Sequence, residues 1–216
     1  MKPTIVPCQS ITGEVKDFTT RPPGPYPSSS QLPLLRFWDK DSKWPKEKGF
    51  SWCGYDQEGL RFAVVFEDSD IITQATANNQ KLWMLGDTVE FFVKPGEQEK
   101  VYYEIHISAN GYLMDLRFPS REEFRSKVIS WEQVLAYESG SRYRTVDLKG
   151  GWAAEIIIPW KGFGLSQFPP PGTVWQFAIC RYNYSSSLPE PEISSTAYFS
   201  KPDFHRYEEY HDLVFI

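Results

Sequence analysis

The chain has 216 residues, a formal charge of −5 and three histidines. That length suits one large domain, and all-β domains of this size are ordinary. The acidic balance, with no Lys/Arg run longer than two, excludes the basic stripe of a nucleic-acid binder and the cationic patch that draws a protein to anionic membranes.

Aromatic residues make up 16% of the chain, as 8 Trp, 12 Tyr and 15 Phe. Such residues favour strands, and they supply flat apolar faces with a polar handle, which suits recognition surfaces. Cys8, Cys53 and Cys180 are odd in number and widely spaced, with no C-x-x-C pair. Neither a zinc site nor a disulfide framework is indicated, and reduced, buried thiols are expected. No stretch approaches the ~18 apolar residues of a transmembrane helix. The N-terminal segment MKPTIVPCQSITGEVKDF has no apolar run of signal-peptide length. Taken literally this predicts a cytoplasmic protein, or an extracellular or periplasmic one if an export signal has been removed.

Residues 1–31 read as a proline-rich arm, with Pro22, Pro23, Pro25 and Pro27 ahead of Ser28, Ser29 and Ser30. Proline blocks ladder hydrogen bonds and favours extended geometry. The arm either wraps the domain or forms a disordered leader. Residues 32–216 form the domain proper. LLRFW (34–38) is a short strand, 39–51 a loop, and LRFAVVFED (60–68) a buried strand after the turn 56–59. Residues 69–86 leave room for a short helix. DTVEFFVKP (87–95) is a strand ended by Pro95-Gly96. VYYEIHIS (101–108) and YLMDLRF (112–118) pair through Asn110-Gly111, a sequence that tolerates the positive φ of tight hairpins. Residues 119–126 suggest a helical turn, and WEQVLAYES (131–139) and RYRTVDL (142–148) flank Gly140. GWAAEIIIP (151–159), TVWQFAICRYNYS (173–185), SSTAYFS (194–200) and HDLVFI (211–216) complete the strands, with a 3₁₀ or α turn at 160–165. Roughly ten strands, few helices and many Gly/Pro turns predict an all-β, antiparallel two-sheet sandwich of jelly-roll or immunoglobulin-like kind.

Side chains alternate across a strand. Val89, Phe91 and Val93 therefore share one face, and Glu90, Phe92 and Lys94 the other. Tyr103, Ile105 and Ile107 point inward, leaving Glu104 and His106 on the opposite side. On 175–183 an apolar row, Trp175, Phe177 and Ile179, becomes polar at Arg181 and Asn183. If these strands are neighbours, Glu90, Glu104, His106, Arg181 and Asn183 are expected to converge on one concave patch. Such a patch supplies polar groups for hydroxyls beside an apolar platform.

Three pieces occur in order: Trp83-x-x-Gly-Asp-Thr-Val-Glu-Phe-Phe-Val, then Tyr103-Glu-Ile-His106, then Trp152-Ala-Ala-Glu-Ile-Ile-Ile-Pro-Trp160. Trp175-Gln-Phe-Ala-Ile-Cys-Arg-Tyr-Asn183 and the ending Phe204-His-x-x-Glu-Glu-Tyr-His-Asp-Leu-Val-Phe215 follow. Over residues 33–216 this arrangement resembles carbohydrate-binding module family 9, within the wider DOMON-like group of sandwiches. The resemblance implies a non-catalytic module that binds a sugar or oligosaccharide, often attached to xylanases and other glycosidases, with structural calcium in some members. It also implies two aromatic side chains sandwiching a sugar ring. Trp83 matches the first, with one extra residue before the Asp-x-Val-Glu strand; Tyr198, or else Trp160, is the candidate for the second. Glu90 matches the carboxylate that accepts from sugar hydroxyls, and Arg181 and Asn183 match the polar end of the late strand. Glu104 and His106 depart from the family, which often has an arginine and an amide there.

Three other readings stay open. Glu90 and Glu104 could be the paired carboxylates of a glycoside hydrolase, which stand ~5–10 Å apart. Met84, Met114 and His106 could ligate haem in a DOMON-type module, although no C-x-x-C-H motif is present. Asp68-Ser-Asp70 and Asp39-Lys-Asp41 could contribute oxygens to a calcium-stabilised interaction domain. No G-x-S-x-G elbow, P-loop or dinucleotide motif occurs.

Overall fold

A computed structural model describes residues 4–216. Two sheets face each other. The first holds seven strands: β1 (Ile5–Cys8), β5 (Thr88–Lys94), β6 (Tyr102–Ser108), β7 (Leu113–Phe118), β10 (Val174–Asn183), β11 (Glu192–Ser195) and β12 (His211–Phe215). Their order is β1-β12-β10-β5-β6-β7, with β11 also against β10. The second sheet, in the order β2-β3-β4-β9-β8, holds β2 (Leu32–Leu34), β3 (Gly49–Tyr55), β4 (Gly59–Glu67), β8 (Arg142–Leu148) and β9 (Gly151–Pro159). All pairings between these strands are antiparallel except β1 with β12. The molecule is the all-β sandwich that the sequence pattern predicts.

The inner core follows the period-2 alternation. Leu60, Phe62, Val64 and Phe66 of β4 meet Val89, Phe91 and Val93 of β5 between the sheets. Phe62 spans the gap, stacking on Phe91 at 5.5 Å and on Phe177 at 5.8 Å. Each such pair adds about 0.5–1.5 kcal/mol beyond the area it buries. The alternate residues are buried too, because both outer faces are covered. Val15, Phe18 and Tyr26 of the arm lie over Trp52, Ala63, Val65 and Ala153 of the second sheet. On the far side of the first sheet, Phe92, Tyr102, Leu116 and Cys180 are covered by the segments 75–85, 121–135 and 197–210. Cys8, Cys53 and Cys180 are free and buried.

Several boundaries differ from the expected ones. The 39–51 loop gives way to β3 at Gly49, where an added Cβ would lie 2.6 Å from the Phe66 ring, so a glycine is what lets this strand pack. Residues 5–8, inside the expected irregular arm, form β1. Two short helices follow β7: α1 (Arg121–Arg125), within the predicted helical turn, and α2 (Trp131–Leu135). Ser130 starts α2 by accepting from the Gln133 amide while the Gln133 side chain accepts from the Ser130 amide, a reciprocal capping box. The helix expected within 69–86 is a single 3₁₀ turn, Leu82–Met84. At the predicted hairpin, Gly111 takes the positive φ, +84°. No helix among the described residues is long and apolar enough to cross a membrane.

Candidate functional site

A cavity of about 380 Å³ opens on the outer face of the seven-stranded sheet. Register places its floor. Glu90 on β5 lies directly opposite His106 on β6, and Glu104 shares their face two residues earlier on β6. His106 is fully buried, and Glu90 and Glu104 nearly so. Nε2 of His106 bonds Glu104 Oε1 at 2.5 Å. Its Nδ1 lies 3.2 Å from Glu90 Oε1, but out of line for a hydrogen bond. Burial pushes the Glu90 carboxyl up to about 8, reinforced by the Glu104 charge and opposed by His106. Burial acts against ionisation of Glu104 as well, but His205 and the bond from His106 outweigh it and hold this carboxyl below its usual range. Desolvation would lower the His106 imidazole; the two flanking carboxylates raise it. Glu104 is therefore the fixed negative charge of the floor, with His106 as its counter-charge.

The walls are aromatic. Trp83 packs tilted over His106 at 5.4 Å and meets Trp131 at 6.0 Å and 67°. The 3₁₀ turn that carries Trp83 is locked in three ways. Thr88 Oγ1 donates to the Leu82 carbonyl, Tyr184 Oη donates to the Trp83 carbonyl at 2.7 Å, and Gly86 takes a φ of +136° where an added Cβ would meet Ile72 O at 2.0 Å. Capping of α2 by Ser130 sets Trp131. Phe118 of β7, Phe124 of α1 and Tyr182 of β10 continue the lining. The rim is the segment Pro202–His205. Arg121 ties it to α1 by donating to the His205 carbonyl at 2.8 Å, and Tyr102 Oη lies 2.9 Å from His205 Nδ1.

Trp83, Glu90, Glu104 and His106 thus come together as expected from sequence. Arg181 and Asn183 do not join them. β10 pairs with β5 so that Cys180 faces Glu90 and Arg181 faces Val89, which turns Arg181 toward the space between the sheets. There its Nη2 donates to Asp68 Oδ2 at 3.0 Å and also to Asn183 Oδ1, while Asn183 Nδ2 donates to Glu47 Oε2 at 2.9 Å. This buried knot includes the Asp68-Ser-Asp70 stretch singled out in the sequence. Glu47, Asp68 and Asp70 offer oxygens within 4.8 Å of one another, and the Arg181 guanidinium is the positive charge among them. Asp39 accepts from the amides of Asp41 and Ser42 in a surface turn.

Tyr198 also lies elsewhere. Its ring packs edge-on against Phe37 at 4.4 Å and against His211 at 5.1 Å, and its hydroxyl accepts from Thr4 Oγ1. Trp160 is buried in the inner core, donating Nε1–H to the Asp56 carbonyl. Of the haem candidates, Met114 faces His106 across β6 and β7, whereas Met84 is 62% exposed. Trp131, Phe124 and His205 escaped the sequence reading because they lie on short helices and loops with no strand alternation to betray them. Tyr182 was legible, since it shares the Cys180 side of β10 and hence the Glu90 face.

No protein-family model matches the sequence, and no curated protein is significantly similar to it. Solved structures are similar in shape. A protein from Bacteroides uniformis ATCC 8492 that is proposed to bind carbohydrate superposes with a TM-score of 0.72 at 16% identity, covering 100% of both chains. A carbohydrate-binding module of family 9 from Caldicellulosiruptor kristjanssonii in complex with cellotriose gives 0.62 at 15% identity, covering 99% of this chain and 93% of that one. A module of that family from the same organism, in complex with glucose, gives 0.64 at 13% identity, covering 99% of this chain and 96% of that one. The chain has the fold of a carbohydrate-binding module of family 9.

Proposed function

We propose that this chain binds carbohydrate without catalysing its breakdown, taking a sugar ring or chain end in the cavity of the seven-stranded sheet. One observation carries the reading: the cavity joins flat aromatic walls, Trp83 and Trp131, to a floor of buried carboxyl groups, Glu90 and Glu104. A pyranose presents an apolar C–H face and a ring of hydroxyls, and this combination complements both. The structural neighbours supply independent support, since two of them hold glucose or cellotriose.

Calorimetric titration with glucose, cellobiose and xylobiose tests the proposal, xylobiose probing the xylan setting that the sequence suggested. Binding of at least one is expected. Trp83→Ala should weaken it by about 1–1.5 kcal/mol, a five- to tenfold loss or somewhat more. A folded protein that binds no member of this panel and no glycan on a broad array contradicts the proposal.

A further inference from the structure

The cavity is one-sided in its chemistry. Among the described residues its lining contains no Lys, Arg, Asn, Gln, Ser or Thr. Its ionisable members are Glu90, Glu104, Asp203 and, at the rim, His205. The cations around them are already engaged. His106 is bonded to Glu104 through Nε2, with its Nδ1 3.2 Å from Glu90. Arg125 and Lys201 reach Asp203 at 3.4 and 3.8 Å, and Arg121 is committed to Glu208 and the His205 carbonyl. One acceptor is left over. Glu104 Oε2 is buried without a hydrogen-bond partner, with His205 Nδ1 3.7 Å away. A buried carboxylate oxygen without a donor is costly, and its cost is recovered when a ligand brings one.

We propose that the cavity selects hexosamines with a free ammonium group over neutral, N-acetylated and acidic sugars, with Glu104 Oε2 receiving the ammonium. This rests on the carbohydrate reading above and names the substrate class of the same site. An ammonium is a compact charge with three donors, and its bond to a carboxylate is charge-assisted and stronger than that of a hydroxyl. The Trp83 face adds attraction for a cation that it does not offer to a neutral group, whereas Trp131 already carries Lys81 Nζ, 5.4 Å from its ring centre. N-acetylation removes the charge. A uronic acid would set its carboxylate against Glu104 and Asp203, with no unengaged cation in the lining to receive it.

The test is calorimetric titration of the full chain at about pH 6, where the amino group is charged, with glucosamine, glucose, N-acetylglucosamine and glucuronate. Glucosamine should bind at least about tenfold more tightly than glucose, in line with a hydrogen bond to a charged group, and glucuronate should not bind. Raising sodium chloride from about 20 to 200 mM should weaken glucosamine and leave glucose unchanged. Glu104→Gln should abolish the preference, bringing glucosamine and glucose to the same affinity; if that variant fails to fold, the salt series on the native chain decides. Glucose binding as tightly as glucosamine, or a salt-insensitive preference, overturns the proposal and leaves the carbohydrate reading standing. Failure of all four sugars, with no glycan bound on an array, removes both.

Discussion

A guanidinium on the inward face of a strand must find an anion. Arg181 finds Asp68 at 3.0 Å, with both side chains essentially sealed from water. The alternation that puts Trp175, Phe177 and Ile179 in the core puts Arg181 there as well, so its place was already implied by the apolar row it extends. Reading it onto the Glu90 face broke that parity. Removing one partner of a buried pair leaves an uncompensated charge, typically at a cost of about 3–5 kcal/mol. Arg181→Ala should therefore lower the melting temperature by roughly 10 °C, at about 2–4 °C per kcal/mol for a chain of this size. Its sugar affinity, measured on folded protein, should match the parent; a large loss of affinity with stability intact would place Arg181 in the site after all. Glu90 and Asp87 give the pH response. Burial pushes Glu90 up to about 8 and Asp87 up to about 7, the latter also repelled by Asp68. Their unfolded values are near 4, so the folded state holds these protons more tightly. The stability they contribute is complete below about pH 4 and is lost as pH climbs through 7 and 8. Calorimetric melting temperatures should fall by several degrees between about pH 6 and pH 9. A rise over that window would contradict the protonated Glu90.

At the level of elements, the long strands were plain in the sequence because their alternation runs unbroken. β5, β6, β9 and β10 fall within a residue or two of the expected limits. β3 was hidden by Gly49 and Gly54, which dilute its apolar signal. At Gly54 an added Cβ would meet the Ile11 side chain at 2.9 Å, so the glycine is there to admit the arm. β1 was hidden by Pro7, acceptable on an edge strand such as this one. The helices were harder still. α1 falls within the helical turn expected at 119–126, but α2, also five residues long, is too short for a helical period to emerge. Yet α2 carries Trp131, one wall of the cavity, and it is held at its start by the Ser130–Gln133 box. Ser130→Ala should remove about 1 kcal/mol of capping. Hydrogen exchange at residues 131–136 should then quicken while β5 and β6 stay protected, and sugar affinity should drop about twofold, a few tenths of a kcal/mol. Unchanged exchange at α2 would mean that packing against β7, not the cap, holds this wall.

Taken whole, the molecule is two sheets covered on both outer sides, by the arm over one and by the segments between strands over the other. Those covering segments convert a flat sheet face into a cavity, so the site is assembled from residues as far apart as Trp83 and His205. The floor was legible in the sequence because it lies on strands, and Trp83 because it stands just before one; Trp131 and the rim were not, because their positions are fixed only by tertiary contacts such as Arg121 to the His205 carbonyl. Where the sugar sits is the point on which this site stands or falls. Nitrogen-labelled protein titrated with glucose and followed by two-dimensional NMR locates it. Shifts are expected at the indole N–H groups of Trp83 and Trp131 and at the amides of β5 and β6 around Glu90 and Glu104, with Trp52 and Trp152 still. Saturating sugar that leaves Trp83 and Trp131 unmoved, or that shifts instead the groove bordered by Phe163, Phe168 and Trp175 at the sandwich end, would contradict this placement.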